Sequence, residues 1–134
     1  TDGYTHDMTE SYKVANVLHK HNLCDANAAW TEVPFMLFEN NKTIANRYFK
    51  TPLGVLKEGA AGDVIVVDYD PPTPLDETNI NGHILFGMTG RDVVTTICSG
   101  KILMQDREVK VADTREVMAK CREESAKLWK SING

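Results

Sequence analysis

The side chains with chemistry to offer begin at the front of the chain, where Thr1-Asp2-Gly3-Tyr4-Thr5-His6 sets a carboxylate, a phenol and an imidazole in close succession. They do not look like the start of a domain, since polar chemistry comes at once. His19-Lys20-His21 has the bare His-x-His spacing of a metal chelate. It falls at an expected helix end, where residues two apart do not share a face, so it makes a poor ligand pair. Gly54 to Gly62 puts glycines near a helix–strand junction. It lacks both the Gly-x-Gly-x-x-Gly order and a following helix, so a dinucleotide loop is not expected there. His83 stands alone and reads as a surface or packing residue rather than a ligand. The three cysteines, Cys24, Cys98 and Cys121, are odd in number and widely spaced. They fit neither a disulfide framework nor a Cys-x-x-Cys site and suit a reducing, cytoplasmic setting, with buried thiols as the default.

Positioning such groups takes elements, and the pattern supplies them. A helix is expected from about Asp7 to Lys20, with Met8, Ser11, Ala15 and Leu18 on one stripe and Asn22 as its stop. A second should begin near Thr31, capped by its hydroxyl, tolerate Pro34 in the first turn and run toward Pro52. Its apolar face is broad (Phe35, Met36, Leu37, Phe38, Ile44, Ala45, Tyr48, Phe49), which asks for cover on more than one side. Trp30 and this aromatic run either pack on neighbouring elements of a larger body or form local core.

Val64-Ile65-Val66-Val67-Asp68-Tyr69 is the clearest strand, and its lack of alternation predicts two covered faces or a short buried strand. Asp70-Pro71-Pro72-Thr73-Pro74 must be an extended spacer, because its prolines remove donors and block a helix. Asn79 to Met88 reads as a short helix in preference to a strand. Two strands, Asp92 to Cys98 and Lys101 to Gln105, flank the tight-turn signal Ser99-Gly100. Asp113-Thr114-Arg115-Glu116 has capping-box form and opens a terminal helix with Val117, Cys121, Leu128 and Ile132 inward. The fold class is therefore α+β.

Composition narrows the function. The 134 residues carry 15 basic against 19 acidic side chains, a net charge of −4, with the basic ones scattered. No basic stripe exists for a phosphate backbone, so nucleic acid is not an expected partner. No apolar run approaches the roughly 18 residues of a membrane span, and the opening residues do not read as a signal peptide.

Two segments carry a family resemblance. One is Thr1-Asp2-Gly3. The other is Gly54-x-Leu56-x-x-Gly59-x-x-Gly62-Asp63-Val64-Ile65-Val66-Val67-Asp68, continued by Val94-x-x-Ile97-x-x-Gly100-Lys101-x-Leu103. Together they resemble the C-terminal part of a metal-dependent amidohydrolase. Leu37-Phe38-Glu39-Asn40-Asn41, the stretch from Asp68 to Leu75, and Lys127-Leu128-Trp129 point to the SsnA-like branch, related to chlorohydrolases and deaminases of N-heterocycles. The resemblance spans essentially the whole chain but about the last third of a full-length member.

It implies a division at residue 53. Residues 1–53 would be the end of a (β/α)8 barrel (the strand-8 loop and the last helices). Residues 54–134 would be the C-terminal part of a small composite β-sandwich with a terminal helix. It also implies that Asp2 is the barrel carboxylate that contacts the metal or its water and transfers a proton. Tyr4 and His6 would then stand by the substrate pocket; read by themselves, they are equally well solvent-facing residues beside a helix start, and Asp2 an acidic residue at a terminus.

Relatives carry Ala where this chain has Gly62, which should loosen the strand entrance slightly. The family's His-x-His pair and its later histidines have no match here. The isolated chain is thus expected to hold no cofactor and to be inactive. The whole enzyme would use a divalent metal, zinc by resemblance with iron or manganese open, to hydrolyse a non-peptide C–N bond of a small molecule. The alternative is a non-catalytic domain that self-associates, as a homo-oligomer, through its exposed apolar faces.

Overall fold

A computed structural model describes residues 3–133 and shows a mixed α+β fold. Helix α1 (Met8–Leu23) opens it. Asp7 caps the start with its carboxylate on the Thr9 N–H, and Cys24 ends the helix in the left-handed region at φ 50°. The inward face is centred on buried Tyr12 and Asn16, while Met8 and Leu18 of the expected stripe are exposed. The reason lies in the connection after α1, which folds back over that side. The Asn16 side-chain amide donates to the Ala29 carbonyl at 2.9 Å. Lys20 Nζ donates to the carbonyls of Ala26 and Ala28 and sits 4.1 Å over the Trp30 ring.

The second helical run begins without a side-chain cap from Thr31. It comprises α2 (Glu32–Phe35), a wider π-type turn over Met36–Asn40, and α3 (Asn41–Ala45). Pro34 sits in its first turn, as expected. The run stops well before Pro52 because Asn46 competes for the backbone. Its side-chain amide donates to the carbonyls of Lys42 and Leu53, and its oxygen accepts from the Leu53 N–H at 2.9 Å.

Strand β1 (Val64–Val67) matches the apolar run and is shorter than the expected strand, with Asp68 and Tyr69 outside it. It pairs antiparallel with β2 (Val93–Cys98), β2 with β3 (Lys101–Gln105), and β3 with a short β4 (Glu108–Val109) that the pattern did not announce. The four form one meander in sequence order. The turns Ser99-Gly100 and Asp106-Arg107 hold positive φ at both central positions, the geometry that matches the twist of a two-residue hairpin. Gly62 is more than a loosened entrance. Its carbonyl accepts from the Gly100 N–H at 2.9 Å, and a Cβ there would lie 3.0 Å from that nitrogen.

Between β1 and β2, the proline spacer leads into helix α4 (Ile80–Phe86), then a 3-10 turn over Gly90–Asp92. The terminal helix α5 (Thr114–Asn133) follows the sheet. Among the described residues, no helix is long and apolar enough to cross a membrane.

The core is small. Tyr12, Ala29, Val33 and Leu85 are its buried members, with Ala15, Leu37 and Ile84 packed against them. It therefore joins α1 and α2 to α4, across residue 53. Several burial expectations are corrected. Ile65 and Val66 are exposed rather than covered on both faces of β1. Val117, Cys121, Leu128 and Ile132 are exposed with the rest of α5, and all three thiols are free and exposed. The chain shows 10520 Å² to solvent. A compact monomer of this mass would show about 7,000 Å². Among the described residues nothing covers these apolar faces.

Candidate functional site

The segment flagged for chemistry enters α1 through Asp7. Asp2 lies outside the described residues. Tyr4 and His6 are exposed, on the short run leading into the helix. What anchors that run is the Asp7 carboxylate. Its Oδ1 accepts from the Thr9 N–H at 2.8 Å and the Thr9 hydroxyl at 2.7 Å, and its Oδ2 accepts from the Gly90 N–H at 2.8 Å. Burial by itself would raise the Asp7 pKa. The hydrogen bonds from Thr9, Gly90 and Glu10 outweigh it and hold the group below its ordinary value. The N-terminal run is thus tied to the turn that feeds β2. The signal for the cap was present as Asp7-Met8-Thr9-Glu10, the same Asp-x-x-Glu form as at Asp113. Nothing local could have announced Gly90.

A second cluster surrounds His83, which is buried, in keeping with a packing role. Its Nδ1 lies 2.8 Å from the Tyr69 hydroxyl and its Nε2 3.3 Å from the Thr73 hydroxyl. A neutral imidazole offers one donor and one acceptor, so one hydroxyl accepts and the other donates. The Tyr69 ring meets the imidazole edge-on at 5.8 Å. Beside them opens a cleft of about 350 Å³, lined by Tyr69, Pro72, Thr73, His83, Phe86 and Gly87 among others. Proline spacing brings Thr73 here, and the helical turn of α4 brings His83. Tyr69 also explains Gly87, since a side chain at that position would collide with the tyrosine hydroxyl.

Among the described residues no group of three or more His, Cys, Asp or Glu side chains is placed to hold an ion. His19 and His21 are exposed on the last turns of α1. The described residues alone do not fit a catalytic metal, which needs about three protein ligands.

No protein-family model matches the chain. It is similar to several curated deaminases. A 5-methylthioadenosine/S-adenosylhomocysteine deaminase of Thermococcus sibiricus is 40% identical over 98 residues, 73% of this chain and 22% of that protein. A protein of the same name from Thermococcus onnurineus is 36% identical over 104 residues, 77% of this chain and 24% of its own. The 5'-deoxyadenosine deaminase of Methanosarcina mazei is 32% identical over 127 residues, 95% of this chain and 29% of that protein. The chain therefore spans about a quarter of the length of the relatives it matches. Its partial sheet, helices and terminal helix are those of a fragment of an amidohydrolase-type barrel protein.

Proposed function

We propose that this chain, homologous to deaminases of the amidohydrolase superfamily, is the C-terminal portion of a larger metal-dependent deaminase. The single observation behind this is the 32% identity to a 5'-deoxyadenosine deaminase along 95% of the chain. In this reading residues 1–53 finish the barrel, and residues 54–134 supply part of the β-sandwich and the terminal helix. The substrate is an aminopurine nucleoside. Water replaces the exocyclic amine, which leaves as ammonia. Asp2 takes a proton from the attacking water and delivers it to the leaving nitrogen. Tyr4 and His6 flank the purine. Zinc is the metal expected by resemblance, and it needs ligands beyond the described residues, so the chain alone is inactive. The narrower SsnA-like assignment rests on Leu37 to Asn41, Asp68 to Leu75 and Lys127-Leu128-Trp129. The cytoplasmic location rests on three free thiols.

The test is a chimera in which this chain replaces the aligned segment of the Methanosarcina mazei deaminase. Ammonia release from 5'-deoxyadenosine, 5-methylthioadenosine and S-adenosylhomocysteine is followed with and without Asp2→Asn. The chain alone should release none, the chimera should turn over at least one nucleoside, and Asp2→Asn should cost about 10²–10⁴-fold in kcat. A folded, metal-loaded chimera inactive on all three overturns the nucleoside reading. Full activity after Asp2→Asn overturns the role of Asp2.

One observation favours a second reading for the isolated chain. Its surface exceeds that of a compact monomer by about 3,500 Å², and Val117, Met118, Leu128, Trp129 and Ile132 of α5 are all exposed. Self-association would cover such a face. A standard interface buries only about 800 Å² per partner, so the excess is more in keeping with burial inside one large protein. A monomer by light scattering at high concentration rejects self-association.

A further inference from the structure

Asp7 does two jobs with one carboxylate. Through Oδ1 it caps α1, and through Oδ2 it holds the N–H of Gly90, 83 positions away in sequence. The receiving side is built for it. A Cβ on Gly90 would stand 2.6 Å from Asp7 Oδ2, so only glycine lets the carboxylate reach the amide. The turn that aims this N–H is itself locked: Asp92 Oδ2 accepts from both the N–H and the hydroxyl of Thr89, at 2.7 and 3.1 Å. The Asp92 carbonyl accepts in turn from the Asp68 N–H at 2.7 Å, just past the end of β1. A continuous set of hydrogen bonds thus runs from the base of the N-terminal segment to the end of the sheet where edge strand β1 leaves and β2 begins.

We propose that Asp7 is a positioning residue: it fixes the base of the segment bearing Asp2, Tyr4 and His6 to the sheet, so that the sheet sets where the proton-transferring carboxylate can stand. The proposal rests on the deaminase reading for Asp2. Five chain steps separate Asp2 from Asp7, a reach of at most about 18 Å, so movement of that base passes to the reacting end. Misplacing a catalytic group by about 1 Å can cost roughly 10²-fold in rate.

Asp7→Asn separates the two jobs. Asparagine caps a helix as well as aspartate does. Its amide nitrogen cannot accept from Gly90, so the cap survives and the tie is lost. Gly90→Ala cuts the same tie from the other side. In the chimera described above, each substitution should lower kcat about 10–100-fold while KM stays within about 3-fold, and the pair together should cost no more than either alone. In the 134-residue chain, Asp7→Asn should speed hydrogen exchange of the Gly90 amide at least about 10-fold and leave the first turn of α1 protected.

Unchanged kcat in both variants, with only a lowered melting temperature, overturns the proposal and leaves Asp7 as a cap. Unchanged Gly90 exchange overturns the tie itself. An unsubstituted chimera without activity overturns the deaminase reading and with it the catalytic consequence, while Gly90 exchange still decides whether the tie exists.

Discussion

Replacing Tyr69 by Phe isolates one oxygen. The phenyl ring retains the edge contact with His83, 5.8 Å between centroids, and its carbons stay against Gly87 while the hydroxyl there is removed. What disappears is the hydroxyl 2.8 Å from Nδ1 of a buried imidazole. A buried polar atom left without its partner costs about 1–3 kcal/mol. The neighbouring cleft of about 350 Å³ has room for water beside the ring, which lowers the cost. The expectation is therefore about 1–2 kcal/mol, or a drop of about 0.5–1.5 M in the urea midpoint. Unfolding by urea, followed by circular dichroism on the 134-residue chain, reads this directly. With His83→Leu already in place, the same Tyr69→Phe change should cost less than about 0.5 kcal/mol, because the atom it orphans is gone. Equal costs in the two backgrounds would refute the reasoning, since the tyrosine oxygen would then be serving something other than His83. So would a neutral Tyr69→Phe in the natural background.

Leu85→Ala should cost about 2–5 kcal/mol by differential scanning calorimetry, since among the described residues Leu85 belongs, with Tyr12, Ala29 and Val33, to the buried core joining α4 to α1 and α2; a change under about 1 kcal/mol would mean that this core does not hold the helices together. Ser99→Asn places the preferred residue at a positive-φ turn position beside Gly100 and should stabilise by about 0.5 kcal/mol in urea unfolding. Asp7 has a folded pKa held below its ordinary 3.8 by its donors. Its contribution is therefore full above that value and lost as pH falls through the lower, folded one. The stability difference between the natural chain and Asp7→Asn should accordingly persist at neutral pH and close below about pH 4; a difference that does not change with acid would show that the charge on Asp7 is not what binds Gly90.

Local chemistry was legible and tertiary cover was not. The β2–β3 hairpin was readable because Ser99-Gly100 dictates a two-residue turn and β-branched residues flank it. Helix α5 was readable from Asp113, whose carboxylate accepts from the backbone of Arg115 and Glu116. The short helix expected within Asn79 to Met88 forms over Ile80–Phe86. Burial is where the pattern misled. The apolar stripes of β1 and α5 encode faces to be covered, yet Ile65, Val66, Leu128 and Ile132 stand in solvent here. Periodicity states that a face wants a partner, not that the partner lies in the same stretch of chain. The early end of α3 was missed because the Asn46 side chain bonds a loop residue seven positions on. At the candidate site the sequence singled out the segment from Thr1 to His6. Its anchor is a contact between Asp7 and Gly90 that no window of residues contains.

The two positive-φ turns of the sheet carry a kinetic consequence. Strands β2, β3 and β4 are joined by connections of two residues each, so their pairing closes only short loops. Such hairpins form in about 1–10 μs, long before contacts between distant parts of a chain can be found. This meander would therefore be among the quickest parts of the chain to fold. The rate at which the whole protein matures would then be set by how fast distant elements find the open side of β1, a search whose cost grows only slowly with the length of chain between them.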